Sequence, residues 1–145
     1  MISAHDAADR VEQLGVLTRR LTDLLAAEAA AFEARRPQDV AASSEETVRL
    51  ANLYRHESAR IKADPGLIAE APLAARRTLM ETTQAFEAVL ARHGRALAAA
   101  KTVTEGIVQA IAEEVVAARK ARTPYGADGR TPAPDGAAIT LNKRA

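Results

Sequence analysis

The sequence predicts an all-α protein: an antiparallel helical bundle or coiled coil of about three helices, with one long C-terminal helix and a disordered tail. Three observations carry that prediction. Leucine, valine and isoleucine recur at spacings of three and four through most of the chain, the period of an amphipathic helix. Proline is confined to positions 37, 65 and 72 and to the last 22 residues, so it punctuates helices and interrupts none of them. Of the 145 residues 48% are hydrophobic, but 35 of them are alanine, while aromatics make up 3% and tryptophan is absent. Alanine favours helix and buries little area, which suits thin layers between paired helices better than a thick core.

The first helix is expected to start near Ser3, where Ser3-Ala-His-Asp6 resembles a weak capping box. Its apolar face is Val11, Leu14, Leu17, Leu21, Leu24, Leu25 and Phe32. Pro37 stops this helix or starts the next element. The second helix runs to about Ile61 and carries Val40, Val48, Leu50, Leu53, Tyr54 and Ile61, with Glu45 and Arg49 as an i,i+4 pair on its wet side. Asp64-Pro65-Gly66 is a turn, and Pro72 marks another helix start. From Pro72 to about Arg122 no proline intervenes, and Leu79, Thr83, Phe86, Leu90, His93, Leu97, Ala100, Thr104, Ile107, Ile111 and Ala118 hold one phase. An unbroken helix of that length measures about 75 Å. Gly94, Gly106 and the cap-like Thr102-Val-Thr-Glu105 are softening features; the preserved phase favours continuity. Arg119, Lys120 and Arg122 complement a helix C-terminus. The organisation is therefore a helical domain over residues 1–122 and a Pro/Gly-rich tail over 123–145, disordered in isolation because it has too little apolar surface to offset ordering.

Composition excludes more functions than it names. Twenty basic and 19 acidic residues give a net charge of +1, without the basic footprint of a nucleic-acid or membrane-surface binder. No cysteine is present, so disulfides and thiolate chemistry are excluded. The N-terminus lacks the apolar run of a secretory signal, and no apolar stretch is long enough to span a bilayer, so a cytoplasmic location is expected. His5, His56 and His93 fall on three different predicted elements without metal-ligand spacing, and His93 reads as a structural histidine on an apolar face. There is no phosphate loop or His-Glu-x-x-His, and Glu45-Glu46 and Glu113-Glu114 diverge on their helices. The expectation is a protein that is no enzyme, holds no cofactor or metal, binds no nucleic acid and inserts into no membrane.

The informative feature is the end of the long helix. Val103, Ile107, Val108, Ile111 and Val115 spread over an arc of about 140° at 100° per residue, and Val116 lies further round. That is wider than the seam of one antiparallel partner. Either this face meets two helices of its own bundle, or it accepts an amphipathic helix of another protein.

Three stretches resemble a known family. Leu21-Thr-Asp-Leu-Leu-Ala-Ala-Glu28 is similar to an early Leu-x-x-Leu-Leu-x-x-Glu helix, and Phe86 to Leu97, with Arg92-His-Gly-Arg-Ala-Leu97, to a mid-helix segment. Thr102-Val-Thr-Glu-Gly-Ile-Val-Gln-Ala-Ile111 with Tyr125-Gly-Ala-Asp-Gly129 is similar to a C-terminal helix and tail. Together they resemble the FlgN-type flagellar export chaperones, in their divergent alphaproteobacterial, FlbY-type branch. The resemblance implies a small cytoplasmic helical protein that covers helical terminal segments of hook–filament junction proteins, prevents their premature assembly and delivers them to the flagellar type III export gate. It places client binding on Val103 to Val116 and contact with the export gate on Tyr125. Ser43-Ser44-Glu45-Glu46 departs from the leucine and lysine usual in the family's second helix. The competing expectation is a coiled-coil structural or regulatory protein that acts on flagellar gene expression and self-associates through the long helix as a homodimer.

Overall fold

The computed structural model describes residues 1–122, all of whose regular structure is helical. The helices are α1 (Ala7–Glu33), α2 (Ser44–Ala63), the single-turn α3 (Gly66–Ala69) and α4 (Leu73–Arg122), with a 3-10 turn at Pro37–Val40 before α2. Residues 1–105 form one compact unit, and Gly106 begins a second.

In the first unit α1, α2 and α4 run up, down and up. Arg10 meets Glu57 near the start of α1 and Glu28 meets Thr47 near its end, so α1 and α2 are antiparallel. α4 runs parallel to α1 in a fixed register. Leu14 shares a core cluster with Leu79, Leu21 shares one with Phe86, and Glu28 bonds to His93. Each layer lies seven residues beyond the last on both helices, about two helical turns. Tyr54 of α2 closes the middle layer, its ring centroid 4.7 Å from that of Phe86.

Local chemistry sets where the helices begin and end. α1 starts at Ala7, four residues later than the Ser3 capping box predicts. Asp6 is the N-cap and accepts from the Asp9 amide at 2.8 Å, while Asp9 accepts from the His5 amide at 2.9 Å. Residues before Asp6 stay outside the helix because Ile2 is buried there and its amide donates to Glu57 Oε1 at 2.9 Å. At the other end Arg36 N–H bonds to Ala31 O and Arg35 N–H to Phe32 O, a Schellman closure. Arg35 occupies its left-handed position at φ 57°, where glycine is the usual residue. Pro37 therefore starts the next element rather than stopping α1.

That element differs from the long second helix expected from Pro37 onward. Pro37–Val40 is a separate 3-10 turn and α2 proper begins at Ser44. The Ser43 hydroxyl donates to Glu28 at 3.4 Å and to Val40 O at 3.2 Å instead of capping α2. Val48, expected on the apolar face, is exposed. The first turn of α2 is held by Glu46, which takes a two-pronged bond from Arg20 with both distances 2.9 Å; this cross-helix pair stands where Glu45–Arg49 was expected. Asp64-Pro65-Gly66 forms its turn, with Gly66 N–H donating to Asp64 Oδ1 at 3.0 Å, and α4 starts directly after Pro72. α4 then runs through Gly94 and Gly106 without a break. Thr102 and Thr104 bond back to the carbonyls of Ala98 and Ala100, so the cap-like segment is spent inside the helix.

Glu57 is the most enclosed ionisable side chain, with no solvent exposure. Burial opposes its ionisation, but the Ile2 amide, Arg60 and Arg10 together hold the carboxyl below the usual glutamate range. Its folded-state value being depressed, the stability it contributes is complete above about pH 5, the upper side of ordinary glutamate titration, and is lost as pH falls through the lower folded value. Glu57→Gln is expected to remove about 3 kcal/mol at pH 7, because Arg10 and Arg60 then face an amide. Urea titrations across pH 3–7 should show that deficit shrinking toward pH 3. A deficit that stays constant excludes ionisation of Glu57 as its source. At the opposite end of α1, Arg35→Gly relieves the left-handed side chain and is expected to raise stability by about 1 kcal/mol, read as a higher urea midpoint with unchanged slope.

Candidate interaction surface

Of the fifty residues of α4, three are buried: Leu79, Phe86 and Ala96. The helix is held by one large side chain every second turn and by two polar contacts near the end of α1. Arg92 forms a two-pronged bond to Glu33, at 2.9 and 2.6 Å. His93 Nε2 lies 3.0 Å from Glu28 Oε2, and its ring meets the edge of Phe32 at 6.0 Å. Glu28 is itself buried and accepts from the Thr47 hydroxyl at 2.6 Å. This polar layer ties all three long helices together. It leaves no buried side-chain nitrogen or oxygen without a partner among the described residues.

The seven-residue repeat of α4 continues after His93 to Ala100, Ile107 and Glu114. The repeat of α1 does not: the position after Glu28 is Arg35, already in the closing turn. From Lys101 to Arg122 every residue of α4 is exposed. Val103 lies on the first unit's side of the division, and Ile107, Val108, Ile111 and Val115 lie in the second unit, on the same uninterrupted helix. The five are 45–56% exposed, as is Val116 at 51%. Among the described residues no helix of the same chain covers this face. Tyr125 lies outside the described residues.

Glu114 falls within the arc of this face, between Val103 and Ile107, and Glu105 and Glu113 lie to either side of it. Gln109 donates to Glu113 along the helix at 3.0 Å, and Lys101 reaches Glu105 at 3.9 Å with both side chains largely solvated. Neither Gly94 nor Gly106 is demanded by packing, because an added Cβ meets nothing within 4 Å at either position. Each glycine lowers local helix stability by about 1 kcal/mol relative to alanine. Among the described residues no group of three or more potential ligands could hold a metal, and no helix is long and apolar enough to cross a membrane. What the arrangement offers is a solvated, branched-aliphatic strip for another helix or chain segment.

Sequence reasoning missed the polar layer. The signal was available: Leu14, Leu21 and Glu28 share one seven-residue series, and Leu79, Phe86 and His93 share another. A glutamate and a histidine at equivalent steps of two apolar series are candidates to meet.

Comparison with known proteins yields no matching family model and no matching solved structure. It does yield a full-length relative, the flagellar basal-body protein FlbY of Caulobacter vibrioides, 56% identical over 147 aligned residues that cover 99% of both chains. With that identity along its whole length, the chain belongs to the FlbY family of flagellar proteins.

Proposed function

We propose that this protein acts in flagellum biogenesis as a cytoplasmic type III export chaperone, binding helical terminal segments of hook–filament junction proteins on α4 and delivering them to the export gate. The observation that carries the reading is the half-exposed strip of Ile107, Val108, Ile111 and Val115, in phase with a seam that buries Leu79 and Phe86 earlier in the same helix. Kinship with FlbY supports the flagellar setting. The resemblance to FlgN-type chaperones supplies the client class and the role of Tyr125 at the gate. Such a role needs no active site or cofactor, only an apolar face that releases its ligand.

A second reading is favoured by the relative's description as a basal-body protein. In it the same strip is buried by a second copy, and the protein is a structural or regulatory coiled coil. Sedimentation of the purified chain separates the two: a stable dimer at low micromolar concentration supports self-assembly.

The test of the chaperone reading is titration of the full chain with a junction protein's terminal helix. Ile107→Asp with Ile111→Asp is expected to weaken binding at least about 100-fold, since each isoleucine contributes roughly 1.5–3 kcal/mol on burial. The helical bundle should fold unchanged, because neither side chain packs against residues 1–105. Retained affinity in the double variant excludes this strip as the site.

A further inference from the structure

We infer that in the absence of a partner the strip on α4 is occupied by the chain's own C-terminal segment, Ala137–Arg144. The proposal concerns the regulation of the surface assigned to junction proteins above, and rests on that reading only for its consequence, that a client must displace the tail. Three properties of the chain argue for this occupant.

The first is charge. From Thr102 to Ala118 the charged residues are Glu105, Glu113 and Glu114, with no lysine or arginine. From Ala137 onward the charged side chains are Lys143 and Arg144, with no aspartate or glutamate. The three glutamates in and beside the strip, bounded by Lys101 before them and Arg119, Lys120 and Arg122 after them, are complementary to the basic end of the chain.

The second is side-chain spacing. Ile139 and Leu141 are the two large aliphatic residues after Arg122, separated by Thr140. In an extended chain residues i and i+2 lie on one side, about 6.6 Å apart along the strand. Ile107 and Ile111, and again Ile111 and Val115, are one helical turn apart, about 6 Å along the axis. Two anchors at one spacing meet exposed aliphatic side chains at nearly the same spacing.

The third is reach. Ile111 lies eleven residues back from Arg122, about 17 Å along the helix. The seventeen residues from Arg122 to Ile139 span up to about 55 Å. A tether of this length holds the segment near its target at an effective concentration on the order of 1 mM. An intrinsic dissociation constant of about 0.1 mM then fills the strip roughly 90% of the time, and a competing helix binds about tenfold more weakly than it does to a bare strip.

The chain has no cysteine, so one introduced thiol labels a single position. Ala138→Cys carrying a nitroxide, in the full chain, is expected to reduce the NMR methyl intensities of Ile107, Ile111 and Val115 at least twofold relative to the reduced label. Adding Ile139→Asp with Leu141→Asp should restore them, and Lys143→Glu with Arg144→Glu should restore them in part. Undiminished methyl signals overturn the proposal. So does broadening that arises only between a spin-labelled copy and a separate isotope-labelled copy, which assigns the strip to a dimer. Undiminished signals in a protein that still binds a junction helix remove the tail alone. Intramolecular broadening in a protein that binds no such helix removes the client reading alone.

Discussion

The parallel register of α1 and α4 is the constraint on which the remaining structure depends. Layers at Leu14–Leu79, Leu21–Phe86 and Glu28–His93 advance by seven residues on both helices, and Tyr54 of α2 seals the middle one. Because the two helices step together, the point where α1 stops decides how far α4 can be covered. The Schellman closure at Arg35 falls on the next layer of the series. Nothing in α4 itself changes there: Ala100, Ile107 and Ile111 keep the same phase in the same unbroken helix. From Lys101 to Arg122 every residue of α4 is exposed.

The third of these layers is the polar one, which is uncommon chemistry for a seam this thin. Glu28 is buried with one oxygen on the Thr47 hydroxyl and the other on His93, and Arg92 clasps Glu33 one turn of α1 further on. A buried carboxylate contributes little net stability, but it tolerates few alternative pairings. In a core of small alanines and interchangeable leucines, slippage of α4 by one turn is a realistic error. A glutamate that must find a histidine and a threonine together penalises every other register. Glu57, closed in by Ile2, Arg10 and Arg60, does the same for α1 against α2 at the opposite end.

Helix periodicity made the all-α bundle, the turn at Asp64–Gly66, the start of α4 after Pro72 and the continuity of α4 legible from sequence. Each rests on a backbone preference or on a repeat longer than any local competitor. The errors came where a tertiary contact outranked local propensity. Ser3 lost the cap to Asp6 because burying Ile2 beside Glu57 requires extended chain before it. Ser43 turned its hydroxyl to Glu28, and the ion pair at the start of α2 is Glu46 with Arg20 across the helix pair, where Glu45 with Arg49 was expected. None of these partners is near in sequence. The strip itself was visible as a wide apolar arc, but whether it was covered depended on the length of α1, and Arg35 gives no local stop signal: its left-handed conformation is one that sequence assigns to glycine.

The alanine content follows from the same geometry. A helix stretch whose side chains are exposed at every position from Lys101 to Arg122 draws no stability from tertiary packing, so its backbone must be supported locally. Alanine provides that support at the lowest conformational penalty, and it leaves the branched residues of the strip as the chief sites of apolar adhesion. Gln109–Glu113 and Lys101–Glu105 add a few tenths of a kcal/mol each, and Arg119, Lys120 and Arg122 complement the negative end of the helix. A leucine-rich segment of equal length would be sticky along its whole circumference, and a fully polar one would bind nothing. Alanine with isolated valines and isoleucines sits between these limits: helical without a partner, and adhesive along one strip. Gly106, which packing does not require, lowers the local helix propensity at the start of that strip.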